Sequence, residues 1–314
     1  MTNICIATSS DDSYSQHLGT MLCSIFENKF DHTHIETIYV LDGGISMNNM
    51  NKLRKLARSY NFDIKFIRMN NDTYYKFNRC GLNDNFHCAF FRISIPELVS
   101  PYLNKILYLD SDIIVRGDLT EFWNTNISKS YLAAIPDPYA AIRQKIYSWK
   151  GDDYFNSGVM LINLKKWRNE NISRKLHDFI SKHNDDLVFL EQDGLNALLH
   201  ENFVRIRPQY NCMSYFFNMK DTPNPFEQGE FYSALKKPMI VHYTGDKPWI
   251  FHSRHPLKKW YYKYLWKTPW RFYIPPDMRY KQLKYDFLNQ HTKLFKILRT
   301  IKKPFKMSIK ILIS

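Results

Sequence analysis

Two carboxylates, Asp110 and Asp112, stand on either side of Ser111 inside the apolar run Leu107 to Val115. Carboxylates buried side by side repel one another and lose water, which is costly without compensation. A hard divalent cation supplies it, because Mg²⁺ and Mn²⁺ favour oxygen ligands. The apolar flanks argue for one buried strand, in which residues i and i+2 share a face and both side chains reach one small volume. The alternative is a strand-end turn with two solvated aspartates. A second strand, Pro238 to Val241, ends on His242, followed by Thr244, Gly245 and Lys247. A lone histidine there is ordinarily a core residue, and its weight comes from combination with the aspartate pair. Asn156 precedes Gly158 and the apolar strand Val159 to Leu164. Glu191, Gln192 and Asp193 sit in an otherwise apolar helical stretch, Leu187 to Leu199, and need partners if buried. Arg92, beside the helix-like Phe90 to Leu98, reads as a surface ion pair or as a phosphate or carboxylate contact.

The elements that must position these groups alternate in type. Ile4 to Thr8 reads as a strand, Ser9 to Tyr14 as a polar turn, and Leu18, Leu22, Ile25 and Phe26 as a helical stripe. Ile35 to Leu41, a helix around Met50 to Ala57, and a strand at Ile64 to Ile67 continue the pattern. Such alternation predicts a mostly parallel sheet with helical crossovers, and ligands in such sheets sit beyond the carboxyl ends of the strands. The first turn has no glycine fingerprint and no Walker lysine, so a nucleotide there would be read by side chains. Asp118 to Trp123 begins like a capped helix, Ala133 to Pro136 is a short strand ending at Asp137, and Ala140 to Trp149 reads as helical.

The chain has 314 residues, 44% of them hydrophobic, enough for one large domain or a domain with an appendage. The N-terminus does not resemble a signal peptide, and no window approaches the roughly 18 apolar residues of a membrane span. Five scattered cysteines without a Cys-x-x-Cys fit a reducing cytosol and exclude a disulfide framework or cysteine zinc site. Of the net charge of +14, nearly all lies from Lys258 onward, where 15 Lys and Arg face two acids, Asp277 and Asp286. There Leu294, Leu298, Ile301, Phe305, Ile309 and Leu312 form one stripe, and Lys296, Arg299, Lys303, Lys306 and Lys310 another. That basic amphipathic pattern suits docking on an anionic membrane leaflet, against a helix packed on the body with a solvated basic face. Nucleic acid is excluded as a partner, since no recognition motif accompanies the bases and the body is not basic.

Taken together, these stretches resemble glycosyltransferase family 8, the retaining sugar-nucleotide transferases, and above all its bacterial lipooligosaccharide galactosyltransferase branch. The matching pieces are the opening strand with Asp11 to Tyr14, Leu107 to Val115, Tyr154 to Gly158, Ile162 to Trp167, Glu191 to Asp193 and His242 to Trp249, in family order. The resemblance implies an α/β GT-A (Rossmann-like) catalytic domain over residues 1–257, and the composition of 258–314 reads as a basic, aromatic-rich helical extension. It implies Mn²⁺, or Mg²⁺, held by Asp110, Asp112 and His242 with Ser111 between. Ala7, Thr8, Asp11 and Tyr14 would surround uracil and ribose. Arg92, Asp137 and Asn156 would hold the donor sugar, and Thr244, Gly245 and Lys247 the diphosphate. Gln192 matches the residue beneath the anomeric carbon, where its dipole would support front-face displacement. The rival mechanism makes Glu191 or Asp193 a covalent nucleophile. The implied donor is UDP-galactose, with UDP-glucose second, and the implied acceptor a glycan on a protein or lipid. The basic extension, rather than the resemblance, points to the cytoplasmic face of the membrane, and a non-catalytic membrane-bound scaffold is the non-enzyme alternative.

Overall fold

The computed structural model describes residues 2–70, 74, 87–138, 154–218, 225–275 and 277. Ala140 to Trp149 and the stripes from Leu294 to Leu312 lie outside them.

Strands β1 (Thr2–Ser10), β2 (Thr33–Asp42), β3 (Ile64–Arg68), β4 (Lys105–Leu109), β6 (Leu132–Ala134), β7 (Val159–Asn163) and β8 (Phe203–Arg205) form a seven-stranded sheet in the order β3-β2-β1-β4-β7-β6-β8. A smaller sheet joins β5 (Ile113–Val115), β10 (Ile240–His242) and β9 (Cys212–Met213), in that order. Helices α1 (Ser15–Asn28) and α2 (Met47–Ser59) are the crossovers that follow β1 and β2. Both connections return the chain to a parallel neighbour, as short strand–helix–strand units require. α1 buries every residue from Ser15 to Ile25, so its polar residues bond within the fold: Thr20 Oγ1 donates to the Gln16 carbonyl at 2.7 Å. α2 is amphipathic, burying Leu53, Leu56 and Ala57, and Ser46 caps it by accepting from Asn49 N–H.

The structure departs from the sequence expectations in two ways. Leu107 to Val115 is not one strand. β4 ends at Leu109, Asp110 to Asp112 turn, and β5 enters the second sheet. Both strands are fully buried after Lys105, so both read as apolar and the turn between them is not visible in the pattern. The large sheet is mostly parallel, as expected, with β7 alone running antiparallel, to β4 and to β6. Phe90 to Leu98 is a 3₁₀ turn, Phe91–Ser94, between two short helices, His87–Phe90 and Ile95–Leu98; Pro96, which lacks an N–H, is accommodated in the first turn of the last.

The chain divides into two compact units. One comprises Met1–Pro248 with Arg254–Phe272, the other Trp249–Ser253 with Tyr273–Ser314. In the first, the helix Lys258–Leu265 packs on α1, with Tyr261, Tyr264 and Leu265 buried. Trp270 lies on Gly19 so closely that a Cβ there would stand 2.4 Å from the indole ring. In the second unit, Phe251 N–H donates to Asp277 Oδ2 at 2.6 Å. Among the described residues no helix is long and apolar enough to cross a membrane.

Candidate active site

The site forms where strand ends converge. β7 starts where β4 stops, because the two are antiparallel, and Asp110 N–H donates to the Gly158 carbonyl at 2.9 Å. β10 runs antiparallel to β5, which sets His242 opposite Ile113. Tyr243 N–H then donates to the Asp112 carbonyl at 3.1 Å. Pairing direction thus brings Asp110, Asp112, Asn156 and His242 to one place, at the carboxyl end of β4 beside that of β1.

One oxygen of each carboxylate is committed to a cation. Arg92 Nη2 donates to Asp110 Oδ1 at 2.7 Å, and Tyr108 OH donates to the same oxygen at 2.9 Å. Lys247 Nζ donates to Asp112 Oδ2 and, at 2.7 Å, to the Tyr243 carbonyl. The remaining oxygens face the imidazole: His242 Nε2 lies 3.2 Å from Asp112 Oδ1 and 3.7 Å from Asp110 Oδ2. The donor atoms of the three residues lie within 4.8 Å of one another. A six-coordinate ion of Mg²⁺ size holds oxygens at about 2.1 Å, which puts adjacent ligands about 3 Å apart, so these residues fit one divalent ion with small shifts. Two hard oxygens and one imidazole suit Mn²⁺ or Mg²⁺ better than a thiolate-seeking metal. Burial would raise the Asp112 carboxyl, but Lys247 and His242 outweigh it and hold the group well below the usual carboxylate range. Asp110 goes up, through burial and the charge of Asp112, against the pull of Arg92 and His242. A proton on a ligand competes with an ion, so metal binding and deprotonation at the pair are linked.

Gly158 sits against this cluster. A Cβ there would stand 2.3 Å from His242 Cε1 and 2.5 Å from Asp110 Oδ2, so the position admits no side chain. The sequence offered one signal for it, a glycine at the mouth of an apolar strand.

Beside the triad lies a wired polar wall. Gln192 Oε1 accepts from Ser157 N–H at 2.9 Å and Asn156 Nδ2 at 3.2 Å, while Gln192 Nε2 donates to Asp137 Oδ2 and Tyr154 OH, each at 3.3 Å. Asp137 Oδ1 accepts from Tyr215 OH. Arg92 is buried; its Nη1 donates to the Ser157 carbonyl at 2.7 Å, and its Nε lies 3.3 Å from Glu191 Oε1. Burial pushes the Glu191 carboxyl up to about 7, with Arg92 pulling the other way. Asp193 turns inward: it accepts from Tyr154 OH and Val188 N–H at 2.7 Å each and from Phe189 N–H at 3.0 Å. Glu191 and Gln192 begin the helix Glu191–Leu199, and the preceding Leu190 has φ of 53°. That backbone conformation is costly for a leucine and aims the first helical turn at the cavity.

A cavity of about 890 Å³ gathers Arg92, Asp110, Asp112, Asp137, Asn156, Gln192, His242, Thr244 and Gly245 on its wall, together with Glu191. Ala7, Thr8, Asp11, Tyr14, Ser111 and Lys247 do not line it. Ser111 Oγ donates to the Ser9 carbonyl at 2.7 Å, which ties the end of β1 to the aspartate turn. Ala7 and Thr8 are buried within β1. Asp11 Oδ1 closes the adjoining turn by accepting from Ser13 Oγ at 2.7 Å and Tyr14 N–H at 3.0 Å. The Tyr14 ring meets His17 edge-on with centroids 5.2 Å apart, and His17 Nδ1 is 2.6 Å from Tyr261 OH. Burial raises the Tyr14 hydroxyl, and the charges of Lys247 and Asp112 act on it. This turn therefore adjoins the Asp110, Asp112 and His242 cluster without sharing the cavity wall. Tyr108 and Asn211, whose Oδ1 is 2.9 Å from His242 Nδ1, were not visible as site residues in the sequence.

The profile described as Glycosyl transferase family 8 matches residues 5–252. General stress protein A of Bacillus subtilis is 31% identical over 273 residues, 84% of this chain and 94% of that protein. The lipopolysaccharide 1,2-glucosyltransferase of Escherichia coli is 25% identical over 87% of this chain and 81% of its own length. Among solved structures, the galactosyltransferase LgtC, in complex with donor and acceptor sugar analogues, superposes with a TM-score of 0.74 at 25% identity, covering 87% of this chain and 98% of LgtC. An active-site glutamine-to-glutamate mutant of LgtC gives 0.73 at 26% identity, with the same coverage.

Proposed function

This chain belongs to glycosyltransferase family 8, with the family's GT-A-like α/β fold, and from that premise we propose that it transfers a hexose from a UDP-sugar to a saccharide acceptor with retention of configuration. Galactose is the first assignment and glucose the second. The supporting similarities include both a galactosyltransferase and a glucosyltransferase. The observation that carries the reading is the meeting of Asp110, Asp112 and His242 on the wall of a cavity that also holds Gln192.

Asp110, Asp112 and His242 would hold Mn²⁺, with Mg²⁺ as the substitute. A bound divalent ion supplies Lewis-acid stabilisation of the charge that develops on a leaving diphosphate. Thr244 and Gly245 present backbone to that diphosphate, and Lys247 adds a point charge once it exchanges Asp112 for phosphate oxygens. Arg92, Asp137 and Asn156 hold the donor hexose from the buried side. Ala7, Thr8, Asp11 and Tyr14 receive uracil and ribose.

Gln192 faces the reacting carbon as a dipole. Its amide oxygen already accepts from Ser157 N–H and Asn156 Nδ2, which reduces its nucleophilicity and favours front-face displacement, in which the acceptor hydroxyl attacks on the side the diphosphate leaves. Asp193 is fully buried and held by three donors, which argues against it as the covalent nucleophile. Glu191 lines the cavity but is paired with Arg92. A named active-site glutamine in LgtC supports the assignment of Gln192.

Catalysis is assigned to residues 1–257. The basic segment from Lys258 holds the enzyme at an anionic inner leaflet, close to a glycolipid or glycoprotein acceptor. The test is UDP release from UDP-galactose and UDP-glucose, with Mn²⁺ or with EDTA. Metal-dependent release from one of them is expected. Equal release with and without metal, or none from any UDP-hexose, rejects the reading.

A further inference from the structure

Asn211 immediately precedes β9, is fully buried, and is absent from the cavity wall. It nevertheless touches both halves of the site. Its Oδ1 lies 2.9 Å from His242 Nδ1, and its Nδ2 lies 2.9 Å from Asn156 Oδ1. Each amide in such a chain has two orientations, and only a partner of fixed polarity chooses between them.

The backbone makes that choice here. Gly158 N–H can only donate, and it donates to Asn156 Oδ1 at 3.1 Å. The Asn156 oxygen therefore faces Asn211, so Asn211 must turn its NH₂ toward it and its oxygen toward His242. The imidazole must then carry a proton on Nδ1, so that in the neutral ring Nε2 is the nitrogen left to face a metal beside Asp110 and Asp112. In the other direction, the Asn156 NH₂ faces Asp137 Oδ2 and Gln192 Oε1, each at 3.2 Å. Gln192 Oε1 is fixed independently by a second backbone donor, Ser157 N–H, at 2.9 Å. Two consecutive backbone amides, Ser157 and Gly158, thus set the polarity of a side-chain wire running from His242 through Asn211 and Asn156 to Gln192.

We propose that Asn211 is a positioning residue. It holds the His242 tautomer that exposes Nε2 to the metal, and through Asn156 it ties that tautomer to the direction of the Gln192 amide. The proposal rests on the reading of Asp110, Asp112 and His242 as a divalent-ion site and deepens it. Histidine ligands generally donate their second nitrogen to an outer partner, whose loss typically costs about 10- to 100-fold in metal affinity. What is particular here is that the partner is an amide with a second bond to make. A carboxylate would serve the imidazole equally well and fail Asn156.

The test uses the full chain. Metal-free protein at alkaline pH, which selects the neutral ring, is labelled with ¹⁵N-histidine, and His242 is assigned by its absence in His242→Gln. The Nδ1–H tautomer is expected in the wild type, and a dominant Nε2–H form overturns the proposal even if no variant folds. Mn²⁺ binding with UDP present is then followed by electron paramagnetic resonance. Asn211→Ala should lose about 10- to 100-fold in Mn²⁺ affinity. Asn211→Asp should keep Mn²⁺ affinity within a few-fold and keep the tautomer, while lowering kcat, because its carboxylate repels Asn156 Oδ1. Equal Mn²⁺ affinity in wild type and Asn211→Ala, or parallel loss of metal affinity in both variants, overturns the proposal. Wild-type protein that binds no Mn²⁺ would instead overturn the underlying metal-site reading and leave the tautomer result to judge Asn211 separately.

Discussion

The two halves of the proposed site are built on different principles. At the proposed metal and sugar end, Asp110 and Asp112 are held by Arg92, Tyr108 and Lys247, and Asn156, Gln192 and His242 by a hydrogen-bond chain whose polarity the Ser157 and Gly158 N–H groups set. At the proposed nucleotide end, the turn after β1 is closed by Asp11 and carries Tyr14, backed by His17 and Tyr261. Rings and a short turn supply shape there rather than fixed charge. A reacting bond needs charges held within fractions of an ångström, whereas a planar base is satisfied by a surface to lie on. The segment from Lys258 to Phe272 serves the second end from behind: Tyr261 meets His17, and Trp270 Nε1 donates to Asn49 Oδ1 at 3.1 Å. Asn49 in turn donates to Asp12 Oδ1 at 2.8 Å.

If that contrast is right, small changes at the first end should be severe and small changes at the second graded. The largest effect is expected from Gly158→Ala, because a methyl at that position overlaps His242 and Asp110. Transfer should fall by about 100-fold or more, with Mn²⁺ binding lost and metal-independent UDP binding retained; unchanged kinetics would show that the triad needs no such close approach. Gln192→Ala should follow, lowering kcat by about 100-fold while UDP still binds in calorimetry. Transfer at the wild-type rate would remove Gln192 from the mechanism.

Glu191 gives an effect on stability instead. Its carboxyl is raised to about 7 from 4.5, so the native state binds more protons than the unfolded chain across that interval. Stability from this group is complete below about pH 4.5 and is lost as pH rises through 7, by at most about 3 kcal/mol. Denaturant melts in EDTA at pH 5 and pH 8 should show that decline in the wild type and a flatter profile in Glu191→Gln; the same slope in both would mean that Glu191 is ionised throughout. The smallest effect is expected at the nucleotide end. Tyr261→Phe removes one hydrogen bond to His17, worth about 1 kcal/mol. UDP affinity should weaken about fivefold with kcat nearly unchanged, and a fall in kcat without a change in affinity would contradict the division between the ends.

Much of the first end was legible in the sequence because its ligands sit where apolar runs stop. Asp110, Asn156 and His242 each mark a strand end, and Gln192 stands out as an amide at the head of an apolar helix. Gly158 was legible only as a glycine at the mouth of an apolar strand, and Asn211 was not legible, since it joins partners far away in the chain. The break between β4 and β5 was hidden because a turn between two buried strands leaves the run apolar. The antiparallel course of β7 was hidden because pairing direction is a nonlocal property that no window of residues contains. Helix Lys258–Leu265 reads as basic and aromatic in sequence, yet Tyr261 and Tyr264 point inward and only part of its surface is cationic.

The central claim is that Asp110, Asp112 and His242 gather a divalent ion on which a sugar nucleotide is held. It is tested most directly by titrating UDP into the protein in EDTA and again in Mn²⁺, for wild type and Asp112→Asn. The account predicts at least about a tenfold gain in UDP affinity with Mn²⁺, worth about 1.4 kcal/mol, present in the wild type and absent in the variant. Equal affinity in both buffers, or a gain that survives Asp112→Asn, would contradict it.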